Sequence, residues 1–227
     1  MTAPYDFLDV DTADLADFGV TVLTLNRPDR KNALSHRLRT ELAHALESSA
    51  DDPHCRAVIL TGRGTVFSAG FDLSEFRTVD EKTLWASSDR MNVAVATHPV
   101  PVIVALNGPA YAGGADLAVL ADIRLGDRYT TFSHPERTAF PVVYGPLAEC
   151  VGCTRARELV LTGRVVEATE ALGIGLLTEV VHDRPVLDRA RELARDVART
   201  PRDVLEQMRR KFDAARRYDP RVHTLAL

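Results

Sequence analysis

The stretch PVIVALNGPAYAGGADLAVLADIRLGD, Pro101 to Asp127, sets a glycine pair, Gly113-Gly114, just ahead of an acid, Asp116. A glycine pair at a helix start brings unencumbered backbone N–H groups, and the positive end of the helix dipole, up to whatever lies beyond. Asp116 follows three residues after Gly113, so its side chain lies near the same face. One loop thus offers an oxyanion donor together with a carboxylate, which suits chemistry on a polarised carbonyl. Upstream, VILTGRGTVFSAGFDLSEF (Val58 to Phe76) carries Ser68-Ala69-Gly70, a small-residue segment where a ligand could touch the backbone. Two such loops, each presenting backbone N–H groups, can grip one oxygen from two sides.

The elements around these loops read as follows. Val20–Leu25, Ala57–Thr61 and Val102–Leu106 are apolar runs of strand length. Ser35 caps a helix to about Ser49, with Leu38, Leu42, Ala45 and Leu46 at helical spacing. A polar stretch, Glu75 to Lys82, leads into a helix to about Ala96. Asn107-Gly108 is a turn, Ala115–Ala121 a short helix, and Ile123–Leu125 and Thr131–Ser133 short strands. From about residue 144 the chain turns helical: Arg155–Thr162, Thr169–Leu172, Val186–Arg199 and Pro201–Arg217, with a last strand at Thr178–Val181.

Length and composition bound the function. A chain of 227 residues, 45% hydrophobic and 26% charged, reads as an ordinary globular protein with a large core. A net charge of −4 and a pI near 6.0 give no basic excess for nucleic acid. The cluster Arg209-Arg210-Lys211 reads as a solvated helix face. No apolar run approaches membrane-spanning length, and the acidic start lacks the pattern of a signal peptide, so cytoplasmic residence with no membrane partner is expected. Cys55, Cys150 and Cys153 fit a reducing compartment. Cys150-x-x-Cys153 has no second ligand pair to complete a zinc site, so no metal is expected and these cysteines read as buried structural thiols.

The chain resembles the crotonase superfamily, the enoyl-CoA hydratase/isomerase family. The resemblance rests on LNRPDRKNALS (Leu25–Ser35), FSAGFDL, NGPAYAGGADLAVLADIRL, FSHPE (Phe132–Glu136) and RARELVLTGRVVEATEALGIGLLTEVV (Arg155–Val181), in the family's order and near its spacing. It implies an α/β fold, a crotonase-like spiral of ββα turns with a C-terminal helical trimerisation segment. Residues 1–143 would form the CoA-binding and catalytic spiral, and residues 144–227 the helical segment of a homotrimer or dimer of trimers. It further implies an acyl-CoA substrate, coenzyme A entering only as part of that substrate with no cofactor bound permanently, and a place in fatty acid metabolism.

Residue by residue, the resemblance makes the N–H groups of Phe71 and Gly113 an oxyanion hole for a thioester carbonyl. Glu136 matches the family's general acid or base, and Asp116 falls where hydratases carry a second glutamate. Paired carboxylates suit hydration, one activating water and the other protonating the α-carbon. The same resemblance puts the backbone at Ala69, Phe71 and Leu73 beside adenine, Asn32, Ala33 and Leu34 beside the CoA nucleotide, and Arg27 and Lys31 near its phosphates. His134 lies two residues before Glu136 and reads as a polar turn residue rather than a supplementary acid–base group. Asp122 and Arg124 match a structural stretch, and Tyr111, Phe140 and Tyr144 read as pocket lining or core.

The match departs from the family's pattern in four places. Ala112 stands for the first of three glycines, and Asp116 for a glutamate, which withdraws the acid by roughly one C–C bond, about 1.5 Å. The loop after Glu136 is short, and the sequence stops soon after Arg217, where a typical member has a further helical segment closing the CoA pocket. Asp116 is either a second catalytic acid or a first-turn acid satisfying its own helix dipole. The expected activity is hydration of a 2-enoyl-CoA. The alternatives are an isomerase, a hydrolase or decarboxylase, or a crotonase-fold binding or assembly protein without catalysis.

Overall fold

The computed structural model describes residues 5–139 and 142–219. In chain order the elements are β1 (Leu8–Asp11), α1 (Leu15–Phe18), β2 (Val20–Leu25), α2 (His36–Asp51), β3 (Ala57–Gly62), α3 (Glu81–Ala96), β4 (Val102–Leu106), β5 (Ala110–Tyr111), α4 (Gly113–Leu120), β6 (Ile123–Asp127) and β7 (Thr131–Ser133). Then follow α5 (Gly145–Val151), α6 (Cys153–Thr162), β8 (Val166–Glu167), α7 (Ala168–Gly173), β9 (Glu179–Val181), α8 (Val186–Val197) and α9 (Arg202–Ala215). Among the described residues the strands form a six-stranded sheet in the order β1-β2-β3-β4-β6-β9 and a smaller sheet β5-β7-β8. Only β1 runs antiparallel in the large sheet; its register sets Leu8 against Leu25.

Each turn of the chain lays a strand in the large sheet, crosses to the small one, and returns through a helix. After β3, Ser68 bridges Ala110 before α3 begins; after β4, β5 pairs with β7 before α4 begins. This is the spiral of ββα turns of the crotonase fold. β2, β3 and β4 read as unbroken apolar runs because they are covered on both faces, and nearly every residue in them is buried. On one side, α2 packs Leu38, Leu42, Ala45 and Leu46 against Leu23, Leu60 and Val104. On the other, α8 presents Val186, Ala190 and Ala194, four apart, to Val22, Ile59 and Ile103.

The sequence hides the first two elements, β1 and α1, inside an acidic segment. Arg191 on α8 pairs with Asp11 and Asp14, and Arg195 with Asp14, so those acids are tied to a helix nearly the whole chain away. Among the described residues, no helix is long and apolar enough to cross a membrane.

Two expectations are corrected. Cys55 is buried, but Cys153 is exposed at the start of α6 and Cys150 half-buried, so the Cys-x-x-Cys pair is not a pair of core thiols; a helix start on the surface leaves its first turn to solvent. Nor is Arg209 part of a solvated face. It is 4% exposed. Its guanidinium donates to the carbonyls of Ala96 and His98 and pairs with Asp122, which also accepts from the Val102 N–H. Arg209 thus closes the C-terminal end of α3, whose last carbonyls need donors. Asp122 and Arg124 are structural as expected, the latter donating to the carbonyls of Ala121 and Leu176.

Removing one member of a buried ion pair leaves the other charge unpartnered, which costs about 3–5 kcal/mol. Arg209→Ala is therefore expected to lower the urea midpoint sharply. Lys211→Ala, two residues on and exposed, should leave it unchanged. Equal midpoints for the two variants would contradict the latch.

Candidate active site

Two loops meet where the first turns of α4 and the Ser68–Phe71 segment touch. Tyr111 N–H donates to the Ser68 carbonyl (2.9 Å), and Ala112 N–H to the Ser133 carbonyl (2.9 Å). The approach is closer than side chains allow. A Cβ on Gly70 (φ +88°) would sit 2.6 Å from the Ala112 Cβ, and one on Gly114 would sit 2.6 Å from the Ser68 carbonyl oxygen. Among the described residues, neither the Phe71 nor the Gly113 N–H has an acceptor in the protein. α4 begins without a side-chain cap, so its dipole and its free N–H groups face the cleft.

Phe71 is held from behind. The Leu34 N–H donates to the Gly70 carbonyl (2.8 Å), and the Arg39 guanidinium lies 4.7 Å under the Phe71 ring. Phe71, Phe76 and Trp85 pack with centroids 5.6–6.1 Å apart, tilted or edge to face. These rings form the apolar wall of a cleft of about 390 Å³, also lined by Ala69, Leu73, Ala112, Gly113, Asp116, Pro135, Glu136 and Ala139. Nothing in the sequence marked Phe76 and Trp85 as site residues. Phe76 lies in the polar stretch Glu75 to Lys82 and Trp85 in the helix after it, and only the fold brings them to the cleft.

Asp116 and Glu136 lie in this one cleft. Asp116 sits in the first turn of α4 and is buried; Glu136 sits in a single 3-10 turn, Pro135–Thr138, after β7. Burial pushes the Asp116 carboxyl well above the usual range, and the neighbouring Glu136 pushes it further. Burial alone raises Glu136 to about 7. Unlike a first-turn acid that satisfies its own helix, Asp116 leaves Oδ1 without a hydrogen-bond partner, as Glu136 leaves Oε2.

His134 overturns the expectation of a polar turn residue. Its side chain is 7% exposed, with Nε2 3.8 Å from Asp116 Oδ1 and Nδ1 3.7 Å from Glu136 Oε1. Burial lowers it to about 4, so it is neutral at neutral pH. The pairing of Ala112 with Ser133 pulls the chain inward at this point, which sequence spacing could not reveal.

The remaining expected residues divide. Ala69 and Leu73 line the cleft. Lys31 is exposed in its turn. Arg27 is mostly enclosed: it donates to the Ala33 carbonyl (2.6 Å), pairs with Asp72 (3.0 Å) and stacks on Phe7. The Asn32 side chain is fully buried, accepting from Arg27 N–H and donating to the carbonyls of Arg63 and Val66. Its amide thereby holds the turn, and Leu34 is buried in packing. The Tyr111 hydroxyl lies 3.0 Å from Thr131 Oγ1, outside the cleft; Tyr144 packs on the core; Phe140 lies outside the described residues.

A family model described as enoyl-CoA hydratase/isomerase matches residues 16–227. The chain belongs to the enoyl-CoA hydratase/isomerase family. It is 32% identical over 187 residues to the short-chain-enoyl-CoA hydratase of Clostridium acetobutylicum, covering 78% of this chain and 71% of that one. Among solved structures it resembles an enoyl-CoA hydratase from Bacillus anthracis (TM-score 0.87, 30% identity, 94% of this chain and 85% of that). It also resembles one from Mycobacterium tuberculosis H37Rv (TM-score 0.81, 34% identity, 92% and 90%). The protein is therefore an enzyme of the hydratase/isomerase type, and its substrate class is the CoA thioester.

Ala112, the first residue of the Ala112-Gly113-Gly114 run, keeps a glycine's backbone. Ala112 has φ +51° and ψ −129°, a conformation L side chains adopt at a cost of about 1–3 kcal/mol. Ala112→Gly should release that strain and, after the roughly 0.5–1 kcal/mol entropy cost of a new glycine, stabilise the protein by about 1 kcal/mol. Urea unfolding reads this directly; a clear loss of stability would contradict the strained bend.

Proposed function

We propose that this enzyme hydrates a 2-enoyl-CoA. The observation that carries the reading is a pair of acids in one apolar cleft beside two unpartnered N–H groups, both carboxyls raised toward the neutral form by burial. Hydration needs one acid ionised and the other protonated. The thioester oxygen accepts from the Phe71 and Gly113 N–H groups, which stabilise the negative charge it gains as the double bond is attacked. The Glu136 carboxylate takes a proton from water, whose oxygen bonds to the β-carbon. The Asp116 carboxyl gives its proton to the α-carbon. Water is consumed whole, and the acid, base and charge stabilisation all come from the chain, so no permanently bound cofactor enters.

Isomerisation needs one base that carries a proton between carbons. An Asp116 oxygen lacking a partner in the same cleft favours hydration over that alternative. Glu136→Gln should lower kcat/KM on crotonyl-CoA by about 10²–10⁴-fold. Asp116→Asn should cripple hydration and spare isomerisation of a 3-enoyl-CoA. In the wild type, kcat/KM should rise through about pH 7 as Glu136 ionises to become the base. Wild-type rates for Glu136→Gln would remove this residue from the mechanism.

For the CoA portion, we place Ala69 and Leu73 at the cleft beside adenine and Lys31 by the phosphates. Arg27, Asn32, Ala33 and Leu34 support the turn that carries Lys31. Reduced thiols and the absence of a membrane-length helix among the described residues support the cytoplasm as its compartment.

We further propose assembly through the helices beyond residue 144 as a homotrimer or dimer of trimers. Leu161, 74% exposed, and Phe212, 56% exposed, give these helices apolar surface that closed association would bury. Light scattering at micromolar concentration should give three or six times the 24.9 kDa chain mass. A monodisperse monomer would contradict it.

A further inference from the structure

His134 is the third titratable group of the cleft, and the two-carboxylate reaction does not use it. It leaves β7 at the point where the Ser133 carbonyl accepts from Ala112 N–H, so its backbone is tied to the oxyanion loop itself. Its two ring nitrogens face different acids: Nε2 lies 3.8 Å from Asp116 Oδ1 and Nδ1 3.7 Å from Glu136 Oε1. Nδ1, like Asp116 Oδ1 and Glu136 Oε2, is buried without a hydrogen-bond partner. Buried polar atoms are almost always paired, so three orphaned atoms on these three neighbouring side chains are not accounted for by packing.

The surroundings leave the imidazole no other role. Behind it lies a void of about 20 Å³, lined by Ala115, Val119, Phe132, Leu147 and Leu159. The one charged side chain on that wall, Arg164, is held by Glu158 and Glu170, with contacts of 2.6–3.1 Å to both carboxylates. Among the described residues, the charged groups facing the two ring nitrogens are the two acids. The remaining gaps exceed a hydrogen bond by less than about 1 Å, a distance that side-chain adjustment closes when a substrate fills the cleft.

Hydration creates a need that this geometry meets. At the end of a turnover Glu136 holds the proton taken from water, and Asp116 has given its own to the α-carbon. The two acids have exchanged states, and the site is ready again only when Glu136 has lost a proton and Asp116 has gained one. We propose that His134 is the proton bridge that returns this proton and so resets the pair. Glu136 releases its proton to Nδ1 while Nε2–H passes one to Asp116. One carboxyl becomes a carboxylate, the other the reverse, and the imidazole changes tautomer; no electrons move. The ring regains its first tautomer by exchange with solvent when the product leaves. His134 acts through the acids, so it is a positioning and relay residue rather than one that touches substrate.

The inference rests on the hydratase reading, and its test separates the two. His134→Gln keeps a donor and an acceptor at nearly the same reach but cannot relay a proton. With crotonyl-CoA, the variant is expected to complete its first turnover at close to the wild-type rate and then slow, giving a burst of one product per site with a steady-state kcat roughly 100-fold down. A merely structural role would slow the first turnover and the steady state together, without a burst. His134→Asn, which keeps an amide at the Nδ1 position, is the second variant should the first fail to fold by circular dichroism. Unchanged steady-state kcat, or equal slowing without a burst, in a wild type that hydrates normally would overturn the bridge alone. A wild type that isomerises 3-enoyl-CoA but does not hydrate would overturn the hydratase reading, and the bridge with it.

Discussion

Everything at the site depends on two stretches of backbone coming closer than side chains permit. The Gly70 peptide rests against Ala112 and Gly113, and the start of α4 rests against Ser68, at separations a Cβ would violate. Only this contact turns two ordinary strand ends into a pair of N–H donors facing one cleft. The rest of the fold serves to hold it. β3 and β4 are parallel neighbours, in register from Val58 against Val102, so their C-terminal ends deliver both loops to the same edge of the large sheet. The small sheet then fixes the offset between them, through the Ser68–Ala110 bridge and the β5–β7 pair.

The Phe71 side needs a second anchor, because a loop carrying a large exposed-facing ring has no reason to stay put. Arg39 supplies it from within α2. It is fully buried, donates to Ser87 Oγ and to the Leu34 carbonyl, and lies 3.5 Å from Glu75. Glu75 in turn accepts from the His36 N–H at the start of α2. Burial brings the guanidinium down to about 10, still far above neutral pH, so its charge persists under the Phe71 ring. A buried cation is costly to desolvate, and its retention here is explained by what it joins: the helix start, the Leu34 segment and the oxyanion loop.

The acidic end of the cleft trades stability for chemistry. For Glu136 the folded-state value lies above the unfolded one, so its contribution is fully present in acid and is lost as pH rises through about 7. His134 has the opposite sign: its folded value is depressed, so its contribution is present above the unfolded value and lost as pH falls toward about 4. The two signs oppose, so the cleft is least costly on the acid side of neutral, below about pH 7 and above about 4. A core of the same volume built from leucines would be more stable and inert.

The sequence by itself determined the architecture and most of the site's membership. Apolar runs without alternation, at strand length, announced β2, β3 and β4 as buried strands; Ser35 and the Leu38–Leu46 spacing announced α2; the family resemblance carried by the order of the motifs implied the ββα spiral and set Phe71, Gly113, Asp116 and Glu136 as candidates. The strand and helix signals are local, carried by periodicity and capping that are visible in one dimension. What only the tertiary structure decided are the matters of burial and partnership. Arg209 reads as one of three exposed cations and is a core latch, because its partners Ala96, His98 and Asp122 come from about ninety to a hundred and ten residues away. Asn32 reads as a neighbour of the CoA nucleotide, and its buried side chain is the peg of its own turn. His134 reads as turn polarity and lies between two acids, because a single strand pairing draws its segment inward. Side-chain type tells what a residue is able to do; which neighbours remain once water is excluded decides what it does.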